Sequence, residues 1–132
     1  MWLYKDREFT EDMIQSYTGF VYIIKNLKTG RCYIGQKNLW STKTRTVKGK
    51  KKRTKVISDY MNYWGSNEEL KLHIQQIGIE HFTREIIHLC LNKGTQNYLE
   101  LREQMDARVL EKQDEWYNGF VGGKIHRSHV KL

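Results

Sequence analysis

Apolar and β-branched residues run almost unbroken through Gly19-Phe20-Val21-Tyr22-Ile23-Ile24-Lys25-Asn26 and again through Cys32-Tyr33-Ile34-Gly35. Lys28-Thr29-Gly30 between them is turn chemistry, with Gly30 free to take a positive φ, so the pattern predicts a β-hairpin. Tyr22 and Tyr33 then stand on paired strands. Upstream, Phe9, Met13 and Tyr17 share one side of residues 1–17, which read as a short amphipathic packing helix opened by Thr10. Residues 38–65 show no sustained period and are long for a plain connection, the mark of a functional or mobile loop. Ser66-Asn67-Glu68-Glu69 fits a capping box, Leu70, Ile74 and Ile77 form a helical stripe, and Gly78 supplies the stop. Residues 82–91 follow as a strand that should pair with the hairpin. A last helix over residues 95–113 places Tyr98, Leu101, Met105 and Val109 on one apolar face. The order β-β-loop-α-β-α predicts an α+β fold, a small three-stranded antiparallel sheet flanked by helices, with its core over residues 18–121 and a tail over 122–132.

Composition adds limits. A chain of 132 residues suffices for one domain with its own core. It holds no apolar run of about 18 residues and no export signal, so no membrane is expected and the cytoplasm is the expected location. Cys32 and Cys90 lie in apolar runs without Cys-x-x-Cys spacing and read as buried, reduced thiols. His126-x-x-His129 has the spacing of a ligand pair but no further ligands beside it, and reads as a contact to solvent or phosphate.

Charge changes the picture more. Lys43, Arg45, Lys48, Lys50, Lys51, Lys52, Arg53 and Lys55 are eight cations in a segment with no acid, and they equal the whole formal net charge of +8. Such a run is either a solvated loop or the binding surface for a polyanion. Trp40, Tyr60, Tyr63 and Trp64 flank it, either packing the loop on the core or offering faces on which bases stack.

On the 95–113 helix Glu103 sits beside the apolar stripe, with Leu99 and Leu110 on its side, so its carboxylate projects along the border of the buried face. Glu100, Glu111 and Glu115 read as ordinary surface charges. Together, Val21-Tyr22-x-Ile-Lys-Asn, Gly30-x-x-Tyr33-Ile34-Gly35, the Ser66 to Gly78 helix, residues 82–86 and the Arg102-Glu103 helix resemble the GIY-YIG nuclease domain over about residues 18–121. Within it, the long basic segment resembles standalone phage-type members described as homing endonucleases. The first half-motif reads Gly-Phe-Val-Tyr, with Gly19 one position early and Phe20 in the place of the family glycine.

The resemblance implies a metal-dependent DNA endonuclease of a bacterial or phage-infected cell. It implies Tyr22 as general base on the attacking water, Tyr33 as positioner of water or phosphate, and Lys37 as support for the tyrosine pair. Glu103, the one carboxylate tied to that site, would hold a single Mg²⁺ or Mn²⁺ per active site. Arg45 and Arg53 compete to hold the scissile phosphate, with Arg45 preferred. Gly35 and Asn118 would support the site, although a plain turn also explains Asn118. Lys43, Lys48, Lys50, Lys51, Lys52, Arg53 and Lys55 would bind double-stranded DNA, and a homodimer is compatible. A phenol with a pKa near 10 is a weak base at neutral pH, so Lys37 and the loop cations are expected to favour its ionised form or to relay its proton. The alternatives are a catalytically weak or inactive nucleic-acid-binding module, or a phage protein-interaction factor whose basic loop meets an acidic partner.

Overall fold

Side chains alternate across a strand, so the residues of the hairpin must feed two cores. The computed structural model describes residues 1–132. Its elements are β1 (Leu3–Tyr4), β2 (Arg7–Glu8), β3 (Gly19–Asn26), β4 (Cys32–Asn38), β5 (Trp40–Val47), β6 (Lys50–Ile57), α1 (Glu68–Ile77), β7 (Phe82–Cys90) and α2 (Lys93–Asp106). In β3, Phe20, Tyr22 and Ile24 enter a larger core with Trp2, Phe9, Leu70 and Tyr117. Val21 points the other way and packs with Ile34, Cys90, Leu99 and Val109 under α2.

The predicted hairpin forms, with Tyr22 opposite Gly35 and Ile24 opposite Tyr33. Gly30 has a φ of 79° in its turn. Strand β7 pairs antiparallel with the far side of β3. The α1 helix is capped by Asn67, whose Oδ1 accepts from Leu70 N–H at 2.9 Å, and stops at Gly78 with φ 110°. No helix is long and apolar enough to cross a membrane.

The sheet is larger than three strands. Its order is β2-β1-β7-β3-β4, and β1 runs parallel to β7, so the sheet is mixed. The predicted N-terminal helix is replaced by β1, β2 and a 3-10 turn at Glu11–Met13. Trp2 is the reason. Its ring is fully buried and its Nε1–H donates to the Tyr60 carbonyl at 2.6 Å, which fixes the start of the chain far from its sequence neighbours. Lys5 and Asp6, with φ of 49° and 65°, then turn the chain from β1 into β2 and bring Phe9 into the same core. Burying two aromatics outweighs the marginal stability of a short helix.

Residues 38–65 are not an irregular loop. Strands β5 and β6 pair rung for rung from Trp40 with Ile57 to Val47 with Lys50, as a two-stranded sheet separate from the main one. Lys48 and Gly49 turn it with φ of 52° and 75°, the pair of positive values that matches strand twist. Threonine alternates with cations along β5, a period of two that hydrophobic patterning does not register because neither face is apolar.

Helix α2 ends at Asp106 and not near residue 113. Val109 N–H donates to Gln104 O at 3.2 Å and Arg108 N–H to Met105 O at 3.1 Å, with Arg108 at φ 56°, which is a Schellman closure without glycine. Burial of Val109 in the α2-side core offsets the left-handed strain at Arg108. Trp2→Ala should cost about 3–5 kcal/mol, measured by urea denaturation, because it empties a fully buried site and frees the N-terminal strand. A loss below about 1 kcal/mol would mean that β1 does not hold the larger core together.

Candidate active site

The register that sets Tyr22 opposite Gly35 also explains that glycine. A Cβ there would lie 2.5 Å from Tyr22 Oη and 2.9 Å from Tyr33 Cε1, so the Tyr22 ring crosses β4 where no side chain stands. On the other side of β3, Val21 pairs with His88 and Tyr22 with Ile86, leaving Ile87 as a bulge beside Tyr22.

Strand β4 is the edge of the sheet. The chain after α2 covers its first half, where Tyr117 N–H donates to Cys32 O at 2.8 Å. Asn118 then clasps Ile34, accepting from its N–H at 3.1 Å and donating to its carbonyl at 2.8 Å, as a neighbouring strand would. Gln104 Nε2 donates to the same carbonyl at 3.1 Å. Beside this clasp lies a cleft of about 460 Å³. Tyr22, Tyr33 and Tyr63 line it from the larger-core side and Gln36, Glu100 and Gln104 from the α2 side.

A polar network orients the carboxylate. Gln36 Nε2 donates to Glu100 Oε1 at 3.0 Å, while Gln36 Oε1 accepts from Lys93 Nζ at 2.8 Å and Gln96 Nε2 at 2.7 Å. No hydrogen bond engages Glu100 Oε2. The early Gly19 belongs to this network, since a Cβ there would meet Gln96 Oε1 at 2.1 Å.

Burial is the largest influence on Tyr22, Tyr33 and Glu100. It drives the Tyr22 phenol well above its ordinary value, helped by Tyr63, Tyr33 and Glu100 nearby. The Tyr22 hydroxyl is buried without a hydrogen-bond partner. Burial also raises Tyr33, against a weak opposing bond to Ser66 Oγ at 3.4 Å. Glu100 is raised by burial, and its bond from Gln36 and the charge of Lys93 only partly offset this. Burial thus disfavours the ionised phenol in the free chain, against the first of the two expected routes, and leaves proton relay as the other. Lys37 Nζ is engaged by Asp59 Oδ1 at 2.6 Å and lies 4.3 Å from the Tyr63 ring centroid.

Three other expected residues lie elsewhere. Glu103 does not line the cleft; its Oε1 meets His88 Nε2 at 2.8 Å, with Arg102 at 3.8 Å. Arg45 and Arg53 are exposed on the β5–β6 ribbon, and no arginine lines the cleft. Glu100, Gln36 and Tyr63 take places that the sequence reading did not give them. The available signal was Gln96, Glu100 and Gln104 at i, i+4 and i+8, a polar stripe beside Leu99 of which both glutamines are buried. Tyr63 is held by Arg84, whose Nη1 donates to its carbonyl at 2.7 Å. That guanidinium lies between the Trp2 and Trp64 rings, at 4.5 and 4.1 Å, and burial lowers its pKa to about 10.

Paired phenols and one carboxylate thus line a cleft at the sheet edge, and a cationic ribbon follows from the same strand. Residues 2–121 match the family model described as "Putative endonuclease segE, GIY-YIG domain", and the chain belongs to the GIY-YIG nuclease family. The likeness is to its phage-type endonucleases, and members of the family generally depend on a divalent metal. Searches of curated proteins and of solved structures give no match.

The raised Glu100 has a measurable consequence. Its neutral form is the one the fold favours, so its contribution to stability is complete below the ordinary glutamate pKa of 4.5 and is lost as pH rises through the higher folded value. Glu100→Gln removes that loss. The urea midpoint of the variant should therefore gain on wild type as pH rises above the ordinary glutamate pKa of 4.5, and a difference that stays constant with pH would contradict the burial of this carboxylate.

Proposed function

We propose that the chain hydrolyses phosphodiester bonds of DNA in the tyrosine cleft, with Glu100 as the ligand for one divalent metal in the place first assigned to Glu103. One observation carries this reading: the unpartnered Tyr22 hydroxyl and the free Oε2 of Glu100 belong to the same cleft. The donor set fits Mg²⁺ or Mn²⁺. A single carboxylate among amides and hydroxyls, with no cluster of three His, Cys, Asp or Glu, suits a hard cation that keeps most of its waters and not a protein cage. When bound, the metal supplies positive charge to the phosphate.

The rest falls to the chain's own groups. Tyr33 and Tyr22 hold the attacking water and a phosphate oxygen at the edge of β4, with Gly35 leaving room for both rings. Tyr22 is protonated at neutral pH in the free chain, so it begins as a hydrogen-bonding partner of the water. It becomes a base only after its own proton has left. Gln36 keeps Glu100 facing the cleft, and Asn118 fixes the outer edge of β4 next to Tyr33. Lys37 supports the aromatic wall through Tyr63.

Supercoiled plasmid incubated with Mn²⁺ tests this. Tyr22→Phe should lower the cleavage rate by about 10²–10⁴-fold and Glu100→Gln should abolish cleavage, while Glu103→Gln stays near wild type. Loss of cleavage in Glu103→Gln alone would return the metal to Glu103. No cleavage by wild type, with duplex binding intact, would favour the inactive binding module. No binding of any nucleic acid would favour the protein-interaction factor.

A further inference from the structure

The β5–β6 ribbon has two chemically different faces. Residues opposite each other share a face, so Thr42 with Lys55, Thr44 with Arg53 and Thr46 with Lys51 make three successive rungs on one side. The other side carries Lys43 with Thr54, Arg45 with Lys52, and Val47 with Lys50. All eight cations are exposed. Arg45 opposite Lys52 places like charges across a rung, and no acid lies between residues 40 and 57 to compensate. Such a rung is destabilising until an anion is added.

Dimensions narrow the partner to one. A two-stranded ribbon fits the major groove of B-form DNA, which is about 12 Å wide, whereas the major groove of duplex RNA is too narrow for side chains to read. Residues on one face of a strand repeat every ~6.6 Å, close to two base-pair rises of about 3.4 Å. Three rungs thus span about four or five base pairs. Their side chains suit base edges, because threonine offers a hydroxyl and a methyl while the central Arg53 has the fork that matches guanine O6 and N7. The ribbon is also anchored at its base. Trp40 Nε1 donates to Tyr17 O at 3.0 Å, Lys55 Nζ lies 4.7 Å from the Trp40 ring, and Ser58 Oγ donates to Asn38 O at 2.6 Å. Only Leu39 separates β5 from β4.

We propose that the ribbon enters the major groove of duplex DNA with Thr42, Thr44, Thr46 and Arg53 toward the base edges and Arg45 and Lys52 reaching phosphates on the rim, and so gives the protein a short sequence preference. This rests on DNA as the substrate of the cleft.

The test uses the full chain in EDTA, where binding is measured without cleavage. Randomised duplexes should yield a motif of about four or five base pairs containing guanine, and methylation of guanine N7 in that motif should block binding. Arg53→Ala should flatten the preference by roughly 10- to 100-fold while retaining affinity for random duplex. Arg45→Ala with Lys52→Ala should weaken binding to all sequences alike and reduce the slope of log affinity against log salt by about two. An absent motif, indifference to N7 methylation, or equal effects of the two sets of substitutions would overturn the inference. If plasmid is still cleaved with Mn²⁺ in that case, the nuclease reading stands and the ribbon reading alone fails. Groove binding without cleavage gives the reverse.

Discussion

Tyr22 can reach the cleft only because β4 presents hydrogen in place of a side chain at Gly35, directly opposite on the hairpin. Register is therefore the governing constraint. A slip of one residue would send Tyr22 into the core under α2 and bring Val21 over the edge, since each strand alternates with a strict period of two. Several separate features hold that register. The bulge at Ile87 sets the local twist behind Tyr22, Asn118 replaces a missing strand at Ile34, and Trp2 closes the core against the ring from below, with centroids 5.2 Å apart.

Placing polar chemistry at that edge costs free energy. Tyr22 Oη, Gln96 Oε1 and Arg84 Nε are buried without hydrogen-bond partners, each at a cost of about 1–3 kcal/mol. All three sit at or behind the cleft. Arg84 is offset by stacking on two tryptophans and by its bond to Tyr63, so the same group that strains the interior also fixes the aromatic wall. The tight aromatic packing of Trp2, Phe9, Phe20 and Tyr60 is what lets the fold carry these groups.

What the sequence disclosed followed from local rules. The β3–β4 hairpin, α1 with its Gly78 stop, and the strand at β7 each carry a clear period and a turn or cap residue, and each is present. The errors arose where distant contacts overrode local pattern. Trp2 drew the N-terminus into the sheet through Tyr60, Val109 closed α2 early, and the ribbon lacked the apolar face by which strands are usually recognised. The candidate site shows the same division. Tyr22, Tyr33 and Gly35 came from the hairpin motif and do meet in one place. The apolar stripe pointed to Glu103, whereas the carboxylate lining the cleft is that of Glu100, held there by a glutamine network invisible to hydrophobic periodicity.

That network leaves a cleft with an unusual balance of charge. Its lining contains Glu100 and no lysine, arginine or histidine, while the ribbon's eight cations equal the net charge of the whole chain, so the body sums to neutral. Lys93 bears on Glu100 through Gln36 without lining the cleft, and no arginine lines it. Attraction and chemistry therefore reside on different elements, joined through Leu39 and through the Lys37–Asp59 ion pair that ties the end of the ribbon back to β4. A long-range field from such a ribbon attracts polyanions without fixing which part of a backbone would reach the cleft. On the proposed reading the ribbon holds the polyanion, and a cation on Glu100 would supply the positive charge that the cleft lining lacks.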